Sequence, residues 1–176
     1  MQWNFNKSLF LKLCTVLLVL LFCNFRIYGQ DEKFKALFIY NFTKYIEWPV
    51  AGASEFKITI IGNLGLVTEM NGIASKMKVG QKQIVVNTAK SADEVSDCQI
   101  LFVSKNNMTE LAKLWGKVKS NKILVITESA NACLQGAGIN FITKNGNLNF
   151  EISKNNIETL GLKVSSSLLN LGTVVN

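Results

Sequence analysis

Four short apolar runs, FKITIIG, QIVVN, QILFV and KILVIT, recur along the middle of this chain, with stretches of helical spacing between them. Continuous β-branched runs of this length are buried on both faces of a sheet, and alternation with helices is the pattern of a mainly parallel one. Leu66, Val67, Met70, Ile73 and Ala74 fall on one side of a helix within Leu64 to Met77. A second helix, from about Met108 to Val118, separates the last two runs.

After these runs the rhythm changes. GINFITKNGNLNFEIS reads as two strands around Lys144-Asn145-Gly146, because Asn-Gly supplies the positive φ angles of a tight hairpin turn. Ser153 has the chemistry of an N-cap for a helix carrying Ile157, Leu160 and Leu162, with Gly161 interrupting it. A last helix in VSSSLLNLGTVV is expected to dock Leu168, Leu169 and Leu171 on the sheet. The expected architecture is α/β: a single domain over residues 30–176, a mainly parallel sheet flanked by helices as in a Rossmann-like sandwich, and a C-terminal β-hairpin. No repeat or linker breaks it.

KALFIYNFTKYIEWP precedes the sheet and ends on Pro49, the one proline of the chain. Asp31 and Glu32 open a helix there, at the positive end of its dipole. Phe34, Leu37, Phe38, Phe42, Tyr45 and Ile46 recur at helical spacing, and Ile39, Tyr40 and Trp48 widen the apolar face. Pro49 is expected to stop the helix, since the residue before proline is pushed out of the α region. Phe34, Leu37, Phe38 and Phe42 are expected to be buried. Tyr45 and Trp48 have two readings, lids on a core or anchors for a partner, because these residue types dominate interface hot spots.

The first 29 residues read as a secretory signal peptide: Lys7 and Lys12, an apolar run from Leu13 to Phe22, and a small residue at Gly29 where cleavage is expected. A retained anchor over Leu9 to Phe25 is the rival reading, and a lipoprotein at Cys23 is disfavoured by bulky Phe22. Removing Lys7, Lys12 and Arg26 lowers the formal charge of +7 by three, to +4, and leaves lysine as the one cationic residue type. Scattered lysines without bidentate arginines, on an exported chain, do not make a nucleic-acid reader.

Catalytic chemistry has little to work with. The chain has no histidine, which removes the commonest general base and metal ligand together with every Ser-His or Cys-His pair. No CxxC or HExxH spacing supports zinc, and no serine is marked for a Ser-Lys arrangement. The expectation is a protein that is not an enzyme and that carries no cofactor or metal. The mature part keeps Cys98 and Cys133, an even count that permits one disulfide in an oxidising compartment. Cys98 opens QILFV and Cys133 lies beyond KILVIT, so parallel strands would start the thiols near opposite ends of the sheet; a bridge and two buried free thiols both stay open.

The glycines of IIGNLGL, Gly62 and Gly65, stand at a strand-to-helix turn where an anion cradle can form, but without a full GxGxxG pattern the structural reading is favoured. Gly136 and Gly138 in QGAGINF are likewise read as a tight strand entrance. Glu151, between Phe150 and Ile152 on one strand, must face away from both. If that face is covered, its carboxylate needs a lysine or backbone N–H groups as partner.

Taken in order, ALFIYNFTKYIEWP, FKITIIG, CQILFVS, ILVITES, GAGINFITKNGNLNFEIS and LGLKVSSSLLNLG resemble the YfiR family from about Lys33 to Gly172. The resemblance implies a periplasmic α/β domain that represses a membrane-bound diguanylate cyclase by binding its periplasmic portion, and that an outer-membrane lipoprotein sequesters. It implies that Trp48 and Pro49 form the family's aromatic helix terminus and that Glu151 is the acid of its Phe-Glu-Ile motif, a region linked to control of repression. Asn140 and Ile157 fall near the same surface by position. Ser153 stands where an asparagine is usual and Ala137 replaces the second glycine of a Gly-Gly pair. Members with more cysteines have their own pairings, which leaves Cys98 and Cys133 without an implied one.

The leading expectation is a periplasmic signalling adaptor or repressor that binds the extracytoplasmic domain of an inner-membrane receptor, such as a diguanylate cyclase or a sensor kinase, through Tyr45, Trp48, Asn140, Glu151 and Ile157. A periplasmic small-molecule binding protein is the alternative, with the ligand at the carboxyl ends of the strands. A homodimer stays open.

Overall fold

The computed structural model describes residues 27–49 and 54–175. The leader expected over residues 1–29 lies outside these, apart from Ile27–Gly29, which begin the first helix. The chain divides into two compact units, Met1–Asp31 and Glu32–Asn176, and the sheet lies wholly in the second.

In chain order the helices are α1 (Ile27–Phe42), α2 (Leu64–Ala74), α3 (Met108–Asn121), α4 (Lys154–Thr159) and α5 (Ser166–Leu169). The strands are β1 (Ile46–Glu47), β2 (Glu55–Ile61), β3 (Lys78–Val79), β4 (Lys82–Ala89), β5 (Ile100–Val103), β6 (Leu124–Thr127), β7 (Ile139–Lys144), β8 (Asn147–Ile152), β9 (Lys163–Val164) and β10 (Thr173–Val174). Eight strands form one mostly parallel sheet in the order β10-β8-β7-β6-β5-β2-β4-β3, while β1 and β9 pair separately.

The four apolar runs are its centre. Every residue of β5 and β6 is buried, as strands covered on both faces must be. β4 lies on one side of β2 and β5 on the other. Right-handed connections β2-α2-β4 and β5-α3-β6 therefore place α2 and α3 on opposite faces of the sheet. β7 and β8 pair antiparallel around Asn145 and Gly146, with φ of 53° and 76°. That pair does not end the sheet, because β10 returns to lie parallel to β8.

The N-terminal helix departs from expectation. α1 stops at Phe42, well before Pro49. The Thr43 hydroxyl and its backbone N–H both bond to Tyr40 O, and Lys44 and Tyr45 bond back three residues, which tightens the chain into a turn. Ile46 then pairs with Val164, so the chain is already extended when it reaches proline. Tyr45 and Trp48 are consequently not on a helix face.

Burial along α1 also differs. Lys35, Ala36, Ile39, Phe42 and Thr43 face inward, whereas Phe34 and Leu37, expected in the core, are 46% and 41% exposed. Phe38 and Phe42 meet Phe141 and Phe150 in a ring cluster with centroids 5.0–6.2 Å apart, which sets the rotation of the helix. The last helix is shorter than expected: α5 has four residues, buries Leu168, and leaves Leu171 exposed. Ser165 caps it, as Ser153 caps α4.

Candidate functional site

The carboxyl end of β6 continues into Thr127-Glu128-Ser129, and two polar networks meet there. In the first, Lys35 Nζ lies 2.6 Å from Glu128 Oε2 and 3.0 Å from Glu32 Oε1. The other oxygen of Glu32 accepts from Asn63 Nδ2 at 3.0 Å, while Asn63 Oδ1 caps α2 by accepting from Leu66 N–H. Burial opposes the charge on Lys35, but the two carboxylates outweigh it and hold the ammonium above its ordinary pKa. A side-chain carboxylate thus already sits beside the first turn of α2, where an anion cradle would have formed.

The second network centres on Asn140. Its Oδ1 accepts from Thr127 Oγ1 at 2.8 Å and from Ser129 N–H at 3.0 Å, and its Nδ2 donates to Glu151 Oε2 at 2.9 Å. Strand register explains the convergence, since Thr127 is level with Asn140 and Asn140 with Glu151. Glu151 is paired as a covered carboxylate requires, although its partner is an amide rather than a lysine or backbone N–H. Cys133 lies close by: burial, helped by the Glu151 charge, pushes its thiol up to about 12.

Cys98 and Cys133 are both buried and free, so the disulfide that their even number permits is not formed. Burial pushes the Cys98 thiol up to about 11. Thiols held protonated in this way are neither nucleophiles nor good ligands. Among the described residues no group of three acidic, cysteine or histidine side chains could hold a metal ion.

The other residues singled out by sequence do not form one patch. Trp48 donates from Nε1 to Gln99 O at 3.1 Å and meets Phe56 edge-on at 5.0 Å, which ties it to the amino ends of β2 and β5. Asn140 and Glu151 are instead level with Thr127, at the carboxyl end of β6. Four residues of parallel strand, about 13 Å, separate the two levels. Tyr45 and Trp48 are half-buried, but Asn140 and Ile157 are buried and present no surface to a partner in this conformation. Sequence reasoning missed Lys35, Glu32, Glu128 and Asn63. The legible signal was a lysine inside an apolar helix face, three residues after an acid.

A cleft of about 430 Å³ opens where the strand connections diverge, above β2, β4 and the end of β5. Ile60, Gly62, Val67, Thr88, Lys90 and Asn107 contribute to its walls. Gly62 has φ of +80°, and a Cβ there would come within 2.0 Å of Asn107 Oδ1, so glycine is required for the turn and for the close approach.

No curated protein matches the chain at a significant level. The sequence profile of the YfiR/HmsC-like family does match, over residues 32–173, which takes in the sheet as far as Thr173 in β10, α1 from Glu32 onward and both polar networks. With that profile covering most of its length, the chain belongs to the YfiR/HmsC-like family.

Proposed function

We propose that this protein is a periplasmic signalling adaptor that represses an inner-membrane receptor, a diguanylate cyclase or a sensor kinase, by binding its extracytoplasmic domain. Family membership supports the regulatory role. The observation that carries the docking idea is the apolar ridge on α1: Phe34 and Leu37, one helical turn apart, stand out of a helix whose opposite side is fixed by part-buried ion pairs and by ring contacts to Phe141 and Phe150. A rigid helix presenting large apolar side chains loses little conformational entropy when a partner covers it. Tyr45 and Trp48 add half-buried aromatic surface, Trp48 at the amino ends of β2 and β5. Glu151 acts from within, by setting the arrangement around Asn140. Repression then requires that the adaptor bind one receptor conformation more tightly than the other.

The role needs no catalysis by the adaptor itself. Among the described residues no helix is long and apolar enough to cross a membrane. In-cell photocrosslinking from positions 34, 37 and 48 tests the reading. Capture of a membrane receptor's periplasmic domain from 34 or 37 is expected, and capture from 48 is expected to be lost in Phe34→Ser with Leu37→Ser. Undiminished capture by that double variant, with the fold intact, would remove the ridge from the account.

A second reading, a periplasmic small-molecule sensor, is favoured by the cleft beside Gly62, whose volume suits a compact solute. A saturable rise in melting temperature with an amino acid, nucleotide or vitamin, abolished by Thr88→Trp, would support it.

A further inference from the structure

A second cleft, of about 370 Å³, lies between α3, the 3-10 turn Ala132–Gln135 and α4. Its chemistry differs from that of every surface discussed above. Trp115 lines it together with Lys119, Gln135, Asn155, Asn156 and Thr159, and no carboxylate does. The indole N–H of Trp115 and the side chains of Lys119, Gln135 and Asn155 have no partner among the described residues. Unpaired donors and acceptors therefore share one cleft with a half-exposed aromatic ring.

The wall is also fixed in advance. Gly136, at φ +105°, brings its backbone against the benzo end of Trp115, where a Cβ would approach Cη2 to 2.8 Å. Asn156 Nδ2 donates to Cys133 O at 2.7 Å and to Ala137 O at 2.9 Å, which orients the amide and leaves Oδ1 as an acceptor. Thr159 Oγ1 donates to Asn155 O at 2.8 Å and keeps its lone pairs. Ligand sites work best when such groups are held before the ligand arrives.

We infer that this cleft binds a sugar ring, as a free hexose or the end of a glycan. The electron-rich face of an indole complements the C–H face of a pyranose. Side-chain amides offer a donor and an acceptor on one planar group, the arrangement that adjacent ring hydroxyls match. An apolar ligand would strand the amides, and a cationic one would meet Lys119 with no acid to balance it. The volume accommodates about one to two rings. This inference depends neither on receptor docking nor on the cleft beside Gly62.

Saturation-transfer NMR on the purified full chain, with a panel including glucose, galactose, N-acetylglucosamine and their disaccharides, tests it. Saturation is expected on the ring C–H protons of at least one sugar, with a melting temperature that rises with its concentration. Gln135→Ala combined with Asn155→Ala should weaken that binding at least about tenfold. Both residues are exposed, so the melting temperature of the free protein should not change. Trp115→Phe, which keeps a ring against Gly136, should weaken it as well. Absence of saturable binding by any sugar of the panel overturns the inference, as does binding that survives the double variant. Nucleoside monophosphates provide the last arm: their binding, lost in Lys119→Ala and unaccompanied by any sugar binding, would reassign the cleft and overturn the sugar inference too.

Discussion

Lys35 Nζ lies 2.6 Å from Glu128 Oε2, joining the middle of the first helix to the residue that follows β6. The Lys35 side chain is nine-tenths buried and also holds Glu32, so one ammonium is shared by two partly covered carboxylates. Removing one partner from such a group costs more than the group itself contributes, because the remaining charges are left buried. Lys35→Met should therefore destabilise the fold by about 3 kcal/mol or more in urea unfolding. Adding Glu128→Gln and Glu32→Gln should recover much of the loss. A single variant as stable as the parent would show the pair to be dispensable.

Asn140→Asp places a second carboxylate at hydrogen-bond distance from Glu151, where the native amide donates. Two acids at that separation cannot both ionise cheaply, so one folded-state pKa rises above its unfolded value. Stability gained by keeping that proton is present below about pH 4 and is lost as pH rises through the raised value. The variant should approach the parent in acid and fall about 2 kcal/mol or more behind it at neutral pH. Equal deficits at both pH values would contradict the network as described.

Alkaline stability should be limited in part by Cys98. Burial holds its thiol at about 11, against 9.0 for the exposed group, with the Thr59 hydroxyl among the contacts opposing the shift. The folded state binds this proton more tightly, so stability is unaffected below about pH 9 and declines as pH rises toward 11. The Cys98 contribution amounts to about 3 kcal/mol across that window. Cys133 and Lys35, also raised, act in the same direction. Cys98→Ala should flatten the decline when unfolding free energy is measured from about pH 8 to about pH 11.

Thr59 is fully covered in β2, and its hydroxyl has no hydrogen-bond partner of ordinary strength, only the neighbouring Cys98 thiol. Thr59→Val keeps the shape and removes a polar group held away from water. Thermal unfolding should show a stabilisation of about 1 kcal/mol. A loss of stability would mean that the sulfur contact is a stronger partner than its chemistry suggests.

Strands β2, β4, β5 and β6 were legible because each is a short, continuous β-branched run, although only β5 and β6 are buried at every residue and β4 is largely half-buried. Their alternation with helices made the sheet mainly parallel, and Asn145-Gly146 marked its antiparallel turn. The rotation of α1 was not legible. Phe34, Leu37, Phe38, Ile39, Tyr40 and Phe42 make it apolar on nearly every side, so periodicity alone does not choose an inward face.

By itself, then, the sequence determined β2, β4 to β8, the helices between them and the family profile the chain fits, because local pattern fixes local structure there; it did not mark β1, β3, β9 or β10, nor where α1 ends. Only the tertiary structure decided which apolar side chains stay outside, that Asn140 and Ile157 are buried, and that Trp48 and Glu151 lie at different levels of the sheet. Those outcomes depend on pairings between residues far apart in the chain, Lys35 with Glu128 and Phe42 with Phe150 among them. Such pairings become definite once the register of the strands sets which groups meet.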